Sequence, residues 1–138
     1  MTDNNRIFVD TNVIIGAWAG RTSDERCLQY LFTPKGKRLY LSTLSVAQFV
    51  SVFQKKRTPD DIRRQVRYLL TKFNMVAFVE KDIEAAMDES ANDIEDSIQY
   101  TLCRKVKCQH FITNNIKDYS GYCLLNVLKP DKIRRINQ

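Results

Sequence analysis

Short apolar runs rich in branched and aromatic residues alternate along the chain with stretches whose apolar residues recur at helical spacing. The first run, residues 7–9, turns polar only at its end, which is typical of a buried parallel strand. Strands that alternate with helices build a mostly parallel sheet covered by helices. We therefore predict an α/β fold in a single domain spanning residues 1–138. The other predicted strands are residues 39–42, 75–79, 110–113 and 124–128.

The segments between these strands predict helices, each with apolar residues on one face. One helix begins near Val13, directly after Asp10, Thr11 and Asn12, the three polar residues that end the first strand. Ser45 and Asp93 are the predicted N-caps of two others, because their side-chain oxygens accept hydrogen bonds from the first turn of a helix. The helices that follow the one at Val13 are predicted at residues 24–32, 45–53, 59–70, 81–88 and 93–105.

Charge and cysteine content narrow the function classes. Lys and Arg number 22 against 16 Asp and Glu, and the net charge of +6 favours a polyanionic partner. No apolar run approaches the roughly 18 residues that a membrane span needs, and the polar start lacks the apolar region of a secretory signal. We therefore expect a cytoplasmic protein that does not enter a membrane. Four cysteines without a CxxC pair are expected to be reduced core thiols, and a lone histidine, His110, argues against zinc sites built from several histidines.

Acidic and amide side chains stand at the ends of several predicted elements. In open parallel sheets, the crevice forms outside the carboxyl ends of the strands, so residues that follow different strands meet there. Four separate segments are expected to contribute: Asp10, Thr11 and Asn12; Ser45 and Gln48; Asp93 and Asp96; and Thr113, Asn114, Asn115 and Asp118.

Carboxylates that share one crevice repel each other, and a hard divalent cation relieves this repulsion. Mg²⁺ and Mn²⁺ prefer oxygen ligands, bind phosphate oxygens and lower the pKa of bound water. An acidic crevice within a positively charged protein is therefore coherent with a metal-dependent nuclease, whose basic rim holds a polynucleotide. The same aspartates also have local uses, because Asp and Asn at strand ends and helix starts serve as caps.

Four segments in order along the whole chain resemble the motifs of the PIN-domain family, and within it the VapC-like toxin ribonucleases. The resemblance implies a three-layer α/β/α fold with a mostly parallel central sheet. It also implies a Mg²⁺- or Mn²⁺-dependent ribonuclease, a homodimer and an inhibitory antitoxin partner. The segments are RIFVDTNVII at 6–15, LSTLSVAQ at 41–48, DIEDSIQY at 93–100 and FITNNIKDY at 111–119.

The resemblance assigns site residues position by position. Asp10 matches the first acidic residue of the family and Asp96 the third, while Asn115 and Asp118 both match positions used near the end of the fourth strand. From these we expect Asp10, Asp96 and Asp118 to hold the metal and act in catalysis. The residues expected to line the site are Thr11, Asn12, Gln48, Asp93, Thr113, Asn114 and Asn115.

Gln48 departs from the family, which has a glutamate at this position. A glutamine removes one negative charge, so metal affinity and activity are expected to fall. Glu95 and Asp93 are nearby acids, although Glu95 is expected to face away from Asp96 on the helix. The leading interpretation is a toxin-type endoribonuclease in which a metal-activated water attacks the RNA phosphodiester. The alternatives are a degenerate domain that binds RNA or protein with little catalysis, and a DNA nuclease on the same fold.

Overall fold

The computed structural model describes residues 6–33, 36–89, 93–119 and 126–137, apart from the side chains of Asp118 and Asn137. Its strands are β1 (Arg6–Val9), β2 (Arg38–Ser42), β3 (Asn74–Val76), β4 (His110–Ile112) and β5 (Asn126–Leu128). They form one sheet in the order β3-β2-β1-β4-β5, and every neighbouring pair is parallel. The predicted parallel α/β arrangement is confirmed.

Helices cover both faces of this sheet. They are α1 (Thr11–Trp18), α2 (Thr22–Leu31), α3 (Thr43–Phe53), α4 (Pro59–Lys72), α5 (Glu80–Met87) and α6 (Ile94–Lys105), with 3₁₀ helices at Ile116–Tyr119 and Pro130–Asn137. Helices α1 to α4 pack in one apolar cluster, α6 packs in a second cluster, and α5 lies against α6. The layers are therefore α/β/α, as the family resemblance implies.

Strand β1 separates the two apolar clusters. Ile7 and Val9 belong to the cluster of α1 to α4, whereas Phe8 belongs to the cluster of α6, and all three are 0% exposed. This alternation follows from the two-residue period of a strand. The Phe8 ring meets the Phe111 ring edge-on, with centroids 5.5 Å apart. Burial of each such side chain stabilises the fold by about 1.5–3 kcal/mol, so β1 anchors both layers.

The order of the strands places the crevice beside β1. The chain runs from β1 outward to β2 and β3 on one side, and returns to β4 and β5 on the other. Val9 pairs with Ile112, and the Asp10 N–H donates to the Ile112 carbonyl at 2.9 Å. Asp10 and Thr113 therefore leave the sheet side by side, at the switch point where parallel sheets bind ligands.

Several element boundaries differ from the sequence prediction. The N-cap of α3 is Ser42 instead of Ser45, because the Ser42 hydroxyl accepts from the Ser45 N–H at 2.9 Å. Strand β3 ends at Val76, and the Phe78 N–H donates to the Thr43 hydroxyl at 3.1 Å instead of extending the strand. Helix α1 begins at Thr11, so Asp10 is its N-cap residue and Thr11 and Asn12 belong to its first turn. Asp93 is the N-cap of α6, as predicted, and its carboxylate accepts from the Asp96 N–H at 3.1 Å.

Other predictions concern the termini and the thiols. The predicted strand at 124–128 begins at Asn126 within the described part, and residues 124 and 125 lie outside it. The last 3₁₀ helix was not predicted; it buries Ile133 and Ile136 against the core that includes α2. Cys27, Cys103 and Cys108 are free and buried, and Cys123 lies outside the described residues. Among the helices that are described, none has the length and apolar character that a membrane crossing requires.

Candidate active site

A cleft of about 430 Å³ opens at the carboxyl ends of β1 and β4, between α3 and α6. Elements far apart in the sequence supply its walls, as expected for the crevice of a parallel sheet. It brings together seven of the predicted site residues: Asp10, Thr11, Asn12, Gln48, Asp93, Asp96 and Asn115. The other residues that line the cleft are absent from the predicted set; they are Ile15, Ser51, Val52, Glu95 and Gln99.

Asp10 is the N-cap residue of α1, but its side chain makes no capping hydrogen bond to that helix. Its Oδ2 instead accepts from the Thr113 hydroxyl at 2.7 Å and from the Asn12 amide at 3.2 Å. The residue is 6% exposed. Burial raises the pKa of Asp10 to about 6, and the hydrogen bonds from Thr113, the Thr11 backbone and Tyr119 offset part of this rise. The carboxylate is thus held by polar donors at the floor of the cleft.

Asp96 reaches the same cleft from the first turn of α6 and is 8% exposed. Its Oδ1 accepts from the Tyr119 hydroxyl at 3.0 Å. Tyr119 is 1% exposed, and burial together with the carboxylates of Asp10 and Asp96 holds its pKa far above the ordinary value. The hydroxyl therefore stays protonated and donates to the acidic pair, so Tyr119 connects two carboxylates that are 86 positions apart in the sequence.

The turn after β4 supports Asp10 from below. The Asn12 side chain also donates to the Thr113 hydroxyl at 3.3 Å and accepts from the Asn114 N–H at 3.2 Å. Thr113 is 0% exposed and lies beneath Asp10 instead of lining the cleft. The Asn114 side chain turns away from the cleft and donates to Asp24 at 3.0 Å. Thr113 and Asn114, both predicted to line the site, therefore act below its surface.

A second polar network lies at the start of α1. The Thr11 hydroxyl forms a hydrogen bond of 2.6 Å with the Ser45 hydroxyl. It also donates to the side-chain oxygen Oε1 of Gln48 at 2.7 Å. The Gln99 amide donates to both hydroxyls, at 3.1 Å for Thr11 and 3.2 Å for Ser45. Gln99 lies three positions after Asp96 on the same helix face, and this spacing is the one signal in the sequence that marks it.

Glu95 faces the cleft, which corrects the expectation that it points away from Asp96. The Gln48 amide donates to the Glu95 carboxylate at 2.6 Å, and this contact turns Glu95 toward α3. Asp93 also lines the cleft, although its carboxylate accepts the capping hydrogen bond of α6. Of the two candidates for the fourth site position, Asn115 lines the cleft, whereas the Asp118 side chain is not part of the description.

The donors in the cleft are carboxylate, amide and hydroxyl oxygens, which suit a hard divalent cation better than a soft one. Across residues 6–33, 36–89, 93–119 and 126–137, no three His, Cys, Asp or Glu side chains form a group that could hold an ion. Within the described residues, the buried carboxylates that line the cleft are those of Asp10 and Asp96. Magnesium is commonly held by one or two carboxylates and keeps several waters.

Comparison with known proteins gives concordant results. The sequence model of the PIN domain matches residues 7–119. Ribonuclease VapC1 of Aquifex aeolicus (strain VF5) is 25% identical over 134 residues, which covers 86% of this chain and 87% of that protein. One chain of a toxin–antitoxin complex from Klebsiella pneumoniae shares the fold with a TM-score of 0.68, at 22% identity over 90% of this chain and 97% of that chain. VapBC-1 from nontypeable Haemophilus influenzae gives a TM-score of 0.69 at 15% identity, over 91% of this chain and 98% of that chain.

Proposed function

This chain belongs to the PIN domain family, and from that premise we propose that it is an endoribonuclease that uses Mg²⁺ or Mn²⁺ to hydrolyse RNA phosphodiesters. One observation carries the proposal. Asp10 and Asp96 come from different elements, are 6% and 8% exposed, and line one cleft. Two carboxylates are costly to bury together unless something compensates their charge.

The residues present fit a divalent cation. Asp10 and Asp96 offer hard oxygen donors, and the burial that raises the pKa of Asp10 to about 6 is a cost that a bound cation would offset. We assign Asp10, Asp96 and Asp118 as the residues that would hold the ion, with Asn115 as the alternative to Asp118. When bound, the ion supplies a Lewis acid for a phosphate oxygen and lowers the pKa of water.

The protein's own groups would orient this acidic centre. Thr113 and Asn12 fix one carboxylate oxygen of Asp10, and the Tyr119 hydroxyl fixes one of Asp96. Such hydrogen bonds to ligating carboxylates hold their geometry and tune their basicity. The scissile phosphate would enter the cleft, whose walls also include Thr11, Gln48 and Asp93.

The proposal extends to partners. The net charge of +6 favours RNA as a polyanionic substrate. The solved structures with this fold include a toxin–antitoxin complex from Klebsiella pneumoniae and VapBC-1 from nontypeable Haemophilus influenzae. We therefore propose a toxin that acts in the cytoplasm as a homodimeric single-domain protein and is inhibited by an antitoxin.

The second candidate function is an RNA- or protein-binding module with little catalysis. Gln48 favours it, because an amide lines the cleft where the resemblance leads one to expect a carboxylate. A DNA nuclease would use the same acidic pair and differ in substrate, so competition between single-stranded RNA and flap DNA separates these two.

The proposed reaction predicts that purified protein cleaves single-stranded RNA with Mn²⁺ and stops when EDTA is added. Asp10→Asn keeps the size of the side chain but removes its charge, so the cleavage rate should fall about 1,000-fold, the equivalent of several kcal/mol of lost cation stabilisation. Gel-based cleavage of a labelled RNA measures the rate.

Asp131→Asn is the matched control, because this exposed aspartate lies on the last 3₁₀ helix, outside the cleft. Its rate should equal that of the wild type. Undiminished cleavage by folded Asp10→Asn would refute the mechanism. If calorimetry shows no Mn²⁺ binding to the wild type, and Gln48→Glu gains neither binding nor cleavage, the binding module is favoured over the nuclease.

A further inference from the structure

The contact between Gln48 and Glu95 joins the two helices that form opposite walls of the cleft. Gln48 lies on α3, and Glu95 lies in the first turn of α6. The Gln48 Nε2 donates to the Glu95 Oε2 at 2.6 Å, and a hydrogen bond to a carboxylate is stronger than one to a neutral acceptor. Both side chains line the cleft that contains Asp10 and Asp96.

The Thr11 network fixes which end of the Gln48 amide faces Glu95. The Thr11 hydroxyl accepts from the Gln99 amide at 3.1 Å and donates its single proton to the Gln48 Oε1 at 2.7 Å. The Gln48 Nε2 is therefore left to point at the Glu95 carboxylate. Thr11 and Gln99 are buried, so this orientation is set from the protein interior.

A carboxylate at position 48 would lie against the Glu95 carboxylate, and the two like charges would repel each other. An amide at this position can instead donate to Glu95 and hold it at the cleft. Gln48 and Glu95 thus form a matched pair that keeps one negative charge on the outer wall.

We propose that Glu95, oriented by Gln48, is a further carboxylate of the active-site cleft that strengthens the binding of the divalent cation held by Asp10 and Asp96. This inference rests on the proposed function. Glu95 is exposed, whereas Asp10 is buried, so Glu95 acts through water as an outer charge and the resulting effect is moderate. Gln48 is a positioning residue in this arrangement.

The test measures Mn²⁺ affinity by calorimetry and by the rise in Tm that Mn²⁺ produces, so neither measurement depends on activity. Glu95→Gln should weaken Mn²⁺ binding about 3- to 10-fold. Glu84→Gln removes the same charge from an exposed position on α5, outside the cleft, and should leave the affinity within about twofold of wild type.

The exchange variant Gln48→Glu/Glu95→Gln moves the carboxylate to α3 and keeps one donor and one acceptor in the pair. It should bind Mn²⁺ within about twofold of wild type or more tightly. Tm values in EDTA verify that each variant folds, and a residue that only stabilises α6 would change these values without changing the affinity.

Three results would count against the proposal in different ways. If Glu95→Gln binds Mn²⁺ as Glu84→Gln does, while Asp10→Asn loses binding, Glu95 has no such role and the proposed function stands. If Glu95→Gln is weakened but the folded exchange variant does not recover, the charge of the pair is not the cause and the proposal is overturned. If the wild type does not bind Mn²⁺, the metal-dependent function fails and this inference fails with it.

Discussion

Asp10 and Asp24 are two buried aspartates, 6% and 0% exposed, on opposite sides of the turn that follows β4. Asp10 accepts from Thr113 at 2.7 Å, and Asp24 accepts from the next residue, Asn114, at 3.0 Å. Burial is the largest cause that raises the pKa of each. The difference is access: Asp10 lines the cleft, whereas Asp24 packs against α1 at Gly16.

This difference shows that burial and a raised pKa alone do not identify a catalytic carboxylate. Asp24 has both properties and does not reach the cleft. A buried carboxylate can therefore take part in the site only where open space lies beside it. The two aspartates are nevertheless connected, because Asn114 donates to both Asp24 and Asn12, and Asn12 donates to Asp10. The hydrogen bonds of Asp24, which lies outside the cleft, therefore help to hold Asp10, which lines it.

The largest expected effect on stability comes from filling the space beside Asp24. In a helix interior, alanine is favoured over glycine by about 1 kcal/mol. A Cβ at Gly16, however, would overlap the Asp24 Oδ2, so Gly16→Ala must displace the carboxylate and its bond to Asn114. Overpacking and the lost bond together should lower the free energy of unfolding by about 2–3 kcal/mol. Urea unfolding followed by circular dichroism measures this.

The control is the same substitution in an Asp24→Ala background. Once the carboxylate is absent, Gly16→Ala should cost less than about 1 kcal/mol, or stabilise the helix as its propensity predicts. If Gly16→Ala lowers the free energy of unfolding equally in the two backgrounds, the Asp24 carboxylate does not fill the space beside Gly16.

The positions of Asp10 and Asp96 were predictable because they follow from the order of elements. A buried strand that turns polar at its end fixes where Asp10 leaves the sheet, and Asp93 marks the start of α6 and hence the position of Asp96. The carboxyl ends of parallel strands lie on one edge, so the segments had to converge.

The remaining residues depend on contacts between elements, which no periodicity encodes. From the sequence, Asp24 is an ordinary first-turn acid of α2; in the structure it lies against Gly16 of α1 and accepts a hydrogen bond from Asn114. Glu95 was expected to turn away because helical geometry alone separates it from Asp96. Its carboxylate instead accepts a hydrogen bond from the Gln48 amide, which lies on the other wall of the cleft.

A smaller effect is expected along the path between the two aspartates. Asn12→Ala removes the donor to Asp10 and the acceptor of the Asn114 N–H, so Mn²⁺ affinity should fall about 10-fold. Asn114→Ala keeps the backbone bond to Asn12 and loses the bond to Asp24, so the fall should be about threefold. Calorimetry compares the two substitutions directly. A larger loss in Asn114→Ala would mean that Asp24 acts on the cleft by a route other than Asn12.

The smallest effect is a pH dependence that Asp24 alone contributes. Its pKa in the folded protein is raised above 3.8 by burial, while Asn114 and Arg21 offset part of this rise. The folded state therefore binds this proton more tightly than the unfolded state, so the contribution is greatest below pH 3.8 and is lost as the pH rises through the pKa of folded Asp24. Asp24→Asn lacks this titration. The free energy of unfolding of wild type minus that of Asp24→Asn, measured by urea unfolding in EDTA, should consequently decrease from pH 3.5 upward and then level off. Because Asp10 titrates in both proteins, its contribution cancels in the difference. A difference that stays constant with pH would show that burial does not raise the pKa of Asp24. The comparison with Asp10 would then fail.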